Sequence, residues 1–359
     1  MQKKCFIILP FLLLFFAFIP TSAYAADGSG DFYDDHNWDS LVSLVLQESQ
    51  GDETNMALGY YNTVTGEEHY YNGDMYFAGA SLYKLPLNMY CAEQIMRGER
   101  SWDTKTMGRT YEEIQVSSLT YSNNPLSLQL VQELGGWADF RACIAPYVNE
   151  DPADEDYTSR FNHFTARQMT TCAALLARES ERFPRVIDCL LDSAPDSFLN
   201  YADIPWDVAQ KYGNNPESGN VFHVAGIVYM DDPVVLVVLS ANLAAQRTLM
   251  ERYCELMCGY TEHQREMRLA KEAEEQRLAQ EAERKAAEEA AQKAAAEEAE
   301  RLAREAEEQR LAEEEAARDA AEKLAAERAA KRRILHFSLF AVLSLCGIIA
   351  AILIFHKRK

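Results

Sequence analysis

Apolar and polar positions along the chain fall into blocks of different period, and each change of period marks a boundary. Gln2 to Lys4 form a basic start, Cys5 to Ile19 are almost wholly apolar, and "SAYAAD" offers a small-x-small cleavage site near Ala25 or Ala26. That is the pattern of a secretory signal peptide (1–26), too short and wrongly flanked for a stable membrane span. Cys5 precedes the apolar region instead of closing it, which argues against lipid attachment there. A Gly/Asp-rich leader (27–37) then runs into an amphipathic helix over about Trp38 to Glu48. "MALGYYNTVTGEEHYYNGDMYFA" is rich in aromatic and β-branched residues and reads as two strands about a turn at Thr65-Gly66. Residues 91–200 read as largely helical, with loops at "SWDTKT", "YSNNP" and "NEDPADEDY". "VFHVAGIVYMDDPVVLVVLSAN" is a hairpin pattern, two apolar runs joined through Asp231, Asp232 and Pro233, and a helix over about Ala244 to Tyr260 closes this part. The order of helix, strand pair, helical block, strands and helix predicts an α+β domain over 38–260. It would hold an antiparallel sheet flanked by helices, plus a helical subdomain.

Between 261 and 333 the composition collapses to Ala, Glu, Arg, Lys, Gln and a few Leu, without Gly, Pro, Phe, Tyr or Trp. "RLAKEAEEQRLA" (268–279) recurs as "RLAREAEEQRLA" (301–312). Ala and long straight side chains are the best helix formers. Glu281–Lys285, Glu289–Lys293, Glu297–Arg301, Glu300–Arg304, Glu314–Arg318 and Glu327–Lys331 are all Glu-first i,i+4 pairs, the better orientation. The leucines fall at 269, 278, 302, 311 and 324, which is no heptad. A single solvated helix is therefore favoured over an Ala-rich coil that would make a homodimer. At 1.5 Å per residue it would reach on the order of 100 Å. Ile334 to Phe355 follow as an apolar run of about 20 residues, the length a helix needs to cross a bilayer. "HKRK" (356–359) would then be a cytoplasmic tail. With a cleaved signal, this predicts a single-pass protein of the cell membrane with its N-terminal domain outside.

Composition narrows the partners. A formal net charge of −21 argues against nucleic acid, whose phosphates want a basic face. Of the eight cysteines, six lie in the predicted outer part: Cys91, Cys143, Cys172, Cys189, Cys254 and Cys258. An exported even count permits disulfides, yet most sit in helical apolar contexts where a free buried thiol is equally at home, and the pairing stays open. No CxxC or His pair points to a metal.

The candidate chemistry begins in "FAGASLYKLPLNMY" (77–90), an apolar stretch interrupted by Ser81 and, one helical turn on, Lys84. Burying an ammonium costs several kcal/mol unless it is paired or gives up its proton. Lys84 either snorkels to water or is held beside Ser81 for a chemical reason. "YSNN" supplies Ser122 and Asn124 on a loop between helices, and "KYG" supplies Lys211 and Gly213 near the hairpin. Ser-x-Asn also occurs at 218/220 and 240/242, whereas the other two spacings are not repeated. A serine hydroxyl is a poor nucleophile until a base takes its proton. Lys84 can serve only when neutral, and apolar surroundings with a second cation at Lys211 would lower its pKa.

With "SLYK", "SNN" and "KYG" in this order, followed by the hairpin, the chain resembles the serine β-lactamase and penicillin-binding-protein superfamily, closest to class A β-lactamase-like serine hydrolases. The likeness covers about 38–260 and extends to "LGGWADFRACI" and "FTARQMTTCAALLAR". It implies a β-lactamase-like domain without cofactor or metal, acting on β-lactams or peptidoglycan stem peptides. By the same resemblance Ser122 relays a proton to the departing amine, and Asn124 holds Lys84 and the substrate amide. Lys211 attracts a substrate carboxylate, and the backbone N–H groups of Ser81 and Asn214 form the oxyanion hole. His223 would face this region from the hairpin. Tyr212 stands where the family has Thr or Ser, and Asn123 where Asp is common. The family's Glu-x-x-Leu-Asn deacylation loop has no counterpart in "NEDPADEDYTSRFN", where Glu150 is one of five acids and lies at about the right distance before "FTARQM". Without that base an acyl-enzyme would turn over slowly, as in a D,D-peptidase. A non-catalytic wall-binding or sensing module on the same scaffold is the remaining alternative.

Overall fold

The computed structural model describes residues 30–356, so the expected signal peptide and the end of the tail lie outside the described residues. Along the chain run α1 (Trp38–Ser49), β1 (Met56–Asn62), β2 (Glu68–Tyr71), β3 (Phe77–Ala78), α2 (Lys84–Met96), α3 (Tyr111–Leu119), α4 (Asn124–Glu133) and α5 (Trp137–Ile144). There follow β4 (His163–Phe164), α6 (Ala166–Arg178), α7 (Pro184–Leu191), β5 (Val208–Asn215), β6 (Val221–Val228), β7 (Val234–Ser240) and α8 (Gln246–His356). The main sheet is antiparallel in the order β2-β1-β7-β6-β5, and β3 pairs separately with β4.

The unbroken "VVLVVL" of β7 follows from where it sits. Val235, Val237 and Leu239 enter a core shared with α2 to α7, while Val234, Leu236 and Val238 enter a second core under α1 and the first turns of α8. A strand covered on both faces has no polar face to alternate with. Each Val or Leu so buried contributes roughly 1.5–3 kcal/mol relative to exposure. Polar caps fix the helix starts: Asn37 accepts from Ser40 N–H at 3.0 Å, and Thr110 and Thr165 form capping boxes with Glu113 and Gln168.

Two expectations need correction. "KYG" does not merely enter the hairpin. It lies on a full strand, β5, at the sheet's edge, paired with β6 through Tyr212↔Val224 and Gly213↔His223. The helix expected to end at Tyr260 continues, because nothing in the following residues can stop it. Its packed portion also extends further. Thr261 is buried and bonded to Tyr60 Oη (2.9 Å), and Arg268 holds both oxygens of Asp232 (2.7 and 3.0 Å). The compact unit accordingly closes near residue 270. All six cysteines named above are free thiols, and Cys143 alone of them is not fully buried.

From Lys271 to Leu353 the helix is exposed, Glu281 alone being of intermediate burial. Of the expected pairs, Glu281–Lys285 (2.9 Å) and Glu300–Arg304 form. Arg310 instead takes Glu307 (2.6 Å) and Glu314 (3.4 Å), and Arg301 turns to Glu298 and Glu305. The last part of α8 is long and apolar enough to cross a membrane by length and composition.

Candidate active site

Three segments of the chain are drawn to one point. The turn before α2 is anchored by the loop that precedes β4. Gly79 N–H donates to Asn162 O (2.7 Å), and Asn162 Nδ2 donates to Ala80 O (2.8 Å). Ala80 is left-handed (φ 45°), a conformation that costs a non-glycine residue on the order of 1–2 kcal/mol. Ser81 follows, and Lys84 opens α2 with none of its surface exposed. One turn on, buried Asn88 donates to Lys84 O (2.7 Å) and Ser118 Oγ (2.9 Å). Ser127 Oγ donates to Asn123 O (2.6 Å) and lies 2.8 Å from Ser118 Oγ. This polar spine fixes the loop carrying Ser122 relative to α2. Asn123 caps α4 by accepting Leu126 N–H (3.0 Å), a task Asn and Asp perform equally well. Ser122 is left-handed (φ 55°), and Asn124 begins α4.

Lys84 Nζ lies 2.9 Å from Ser81 Oγ, 2.7 Å from Ser122 O, 3.1 Å from Ser122 Oγ and 2.6 Å from Asn124 Oδ1. All four partners are neutral. Burial pulls its pKa from 10.5 down to about 7. The partner types make the consequence specific. Ser122 O and Asn124 Oδ1 can only accept, so they take both N–H groups of a neutral amine. The remaining lone pair is then free for a hydroxyl proton, with Ser81 Oγ at hydrogen-bond distance.

Ser122 Oγ also receives Lys211 Nζ at 3.2 Å, so one hydroxyl lies between two buried amines. Burial, reinforced by the charge of Lys84, holds the Lys211 pKa well below its ordinary value. Tyr212 is half-buried, with its ring centroid 4.0 Å from Lys211 Nζ. Phe198 stacks on that ring at 4.8 Å, and Phe222 stacks on Phe198 at 4.3 Å. Gly213 is required by close approach: a Cβ there would lie 3.1 Å from Ala80 Cβ and 3.2 Å from Ser81 N. Its absence lets edge strand β5 lie against the turn that carries Ser81, with exposed Asn214 next along the strand.

Two expected residues are occupied elsewhere. His223 is buried, with Nε2 2.9 Å from Ala78 O and Nδ1 accepting from Ser240 N–H (3.0 Å). Both ring nitrogens are thus spent on backbone, and burial depresses its pKa to about 4. It ties β6 to β3 and β7 and has no nitrogen left for a substrate. Glu150 Oε1 accepts from Gln168 Nε2 (2.7 Å), the residue that completes the Thr165 capping box of α6. Asn88, Asn162 and Phe198 were not anticipated. Only Asn88 carried a signal, a polar residue four positions after Lys84 on an apolar helix face.

The model of a family described as the Beta-lactamase enzyme family matches residues 42–253. Among solved structures, an ancestral (GNCA) class A β-lactamase superposes with a TM-score of 0.52 at 18% identity, covering 61% of this chain and 97% of that one. The last common ancestor of Gram-negative bacteria (GNCA4) class A β-lactamase gives 0.52 at 18%, covering 62% and 98%. PBP-A gives 0.50 at 17%, covering 61% and 96%. At such identities the likeness is one of fold. No curated protein matches the chain in sequence.

Proposed function

The chain belongs to the beta-lactamase enzyme family, and from that premise we propose that it is an active-site serine hydrolase acylated at Ser81 by β-lactams or by peptides ending like D-Ala-D-Ala. The observation that carries this reading is the 2.9 Å contact between Ser81 Oγ and a buried lysine amine surrounded by neutral partners. A binding module has no need of such an amine, which is costly to bury and useful chiefly as a base.

In the proposed cycle the Lys84 lone pair takes the Ser81 proton as Oγ attacks the carbonyl carbon of the substrate amide. Backbone N–H groups of Ser81 and Asn214 would receive the negative charge on the carbonyl oxygen. The C–N bond then breaks. The departing nitrogen takes the Ser122 hydroxyl proton, and the Lys84 ammonium replaces it across 3.1 Å. The products are an ester on Ser81 and an amine, released from a peptide but still tethered to the acyl group of an opened β-lactam, with every base back in its starting protonation state. Asn124 would hold the substrate amide as well as the lysine. Deacylation needs a base for water; the chain lacks the family's Glu-x-x-Leu-Asn motif, and Glu150, held by Gln168, makes no bond to Ser81, Lys84 or Ser122 among the described residues. This favours slow turnover, as in a penicillin-binding D,D-peptidase, over efficient β-lactam hydrolysis. The apolar end of α8 supports a membrane anchor. With the apolar segment 5–19 read as an export signal, it supports an extracellular, single-pass arrangement.

The test is intact-protein mass spectrometry of the full chain with benzylpenicillin, as the free acid and as its methyl ester. An adduct mapped to Ser81, lost in Ser81→Ala, is expected from at least one form, with a burst and little steady-state turnover. No adduct from either form, or one that survives Ser81→Ala, rejects the mechanism.

A further inference from the structure

The ring of Tyr212 lies against the amine of Lys211, a buried group beside the site that an anionic substrate group would seek. Lys211 has no exposed surface; its amine has the Ser122 hydroxyl at 3.2 Å and the Tyr212 ring centroid at 4.0 Å. The ring cannot swing aside freely. Phe198, 5% exposed, stacks on it at 4.8 Å with planes 23° apart, and is itself stacked on Phe222. An aromatic face is electron-rich, so it attracts an ammonium and repels a carboxylate. A free carboxylate brought to β5 would lose its water, meet that face, and find Lys211 covered. An uncharged group at the same place loses little on desolvation and packs against the ring.

Resting on the acylation reading above and narrowing its substrate class, we propose that Tyr212 selects among β-lactam-like and D-Ala-D-Ala-like amides: the site is acylated faster by those whose carboxyl facing β5 is capped as an ester or amide, and discriminates against the free carboxylate of the uncapped forms. Lys211 then serves the Ser122 hydroxyl and not the substrate's charge.

The experiment compares acylation rate constants of the full-length chain in detergent with benzylpenicillin and its methyl ester, each divided by that compound's own hydroxide hydrolysis rate. The wild type should favour the ester by about tenfold or more, and Tyr212→Thr should reduce that ratio by about tenfold, as expected when one side chain sets a pocket's polarity. Tyr212→Phe should keep the ratio, because the ring and not its hydroxyl covers the amine. A wild type that favours the acid, a ratio unmoved by Tyr212→Thr, or a ratio lost in Tyr212→Phe overturns the inference while leaving Ser81 acylation standing. If neither compound adds to Ser81, the acylation reading fails and takes the inference with it. Should Tyr212→Thr show no thermal transition, the wild-type ratio and Tyr212→Phe still decide.

Discussion

Lys84 and Lys285 each open toward oxygen atoms near 2.9 Å, yet their surroundings are opposite. Lys84 has no exposed surface and only neutral partners: two hydroxyls, a backbone carbonyl and a carboxamide. Lys285 lies on the open part of α8, 63% exposed, with the Glu281 carboxylate at 2.9 Å. Along α8 water solvates each charge, so an ion pair adds little and the helix rests on backbone propensity. In the head the amine is buried among neutral partners, and burial lowers its pKa to about 7, so the proton is held far less firmly. The same side chain is a solubilising spoke in one region and, in the proposed reading, a base in the other, and the difference lies in what its neighbours exclude.

The largest effect should come from giving Lys84 the kind of partner that Lys285 has. Asn124→Asp would place a carboxylate at the 2.6 Å position now held by Oδ1. An opposite charge this close raises an amine's pKa by roughly 1–3 units. Acylation needs the neutral amine, so the wild-type rate should climb about tenfold per pH unit below about 7 and level off above it. In the variant the rising limb should move to higher pH, lowering the rate near neutrality by about fivefold to five-hundredfold. Stopped-flow acylation across pH reads both. Loss of an Asn124–substrate contact alone would lower the rate at every pH without moving the limb, and that result would detach Lys84's proton from the chemistry.

What the sequence made legible follows the same division. Ser81 and Lys84 are one turn apart, and Ser122 and Asn124 lie on one loop, so each pair's geometry is local. The long helix is legible because its composition leaves nothing to stop it. Strand β5 was not, because Gln210, Lys211, Asn214 and Asn215 interrupt its apolar pattern, and edge pairing with β6 makes it a strand. Asn162 and Phe198 act on residues from which 82 and 14 positions separate them, to Ala80 and Tyr212 respectively, and no local pattern announces such contacts. His223 was legible as a polar residue near the site, but its role is set by Ala78 and Ser240 on neighbouring strands.

An intermediate case lies between these extremes, where α8 leaves the head. Asp232 is 4% exposed on its side chain, with Arg268 on both oxygens and Arg265 at 3.7 Å. The hydrogen bond from Arg268 holds its pKa below the ordinary carboxylate value. Asp232→Asn removes the carboxylate that Arg268 holds on both oxygens and loosens Arg265, which keeps Asp231 at 2.6 Å, so the cost should be about 2 kcal/mol, less than for a fully buried pair, or roughly 4–8 °C in the melting midpoint. The sign with pH is fixed. A depressed carboxylate pKa contributes stability that is present above its unfolded value and lost as pH falls through the folded one. Asp232→Asn should therefore narrow the gap to wild type in acid, and equal destabilisation at pH 7 and in acid would argue for a packing defect.

The smallest effect should come from α8 itself. Glu281→Gln removes the partner of Lys285 and a second, looser contact to Arg277 at 3.6 Å, all on well-hydrated side chains. The melting midpoint of the head should not move, because the change lies in the other compact unit. Helical ellipticity should fall slightly at low ionic strength. That difference should vanish as salt is raised from about 0.01 M to about 1 M, where the screening length shrinks from roughly 30 Å to 3 Å. Circular dichroism of the full chain at both ionic strengths makes the measurement. A loss that persists at high salt, or a shifted head transition, would mean that Lys285 is not the solvated charge the comparison requires, and that this stretch of helix is covered by something, a second copy of the chain being the first candidate to examine by sedimentation.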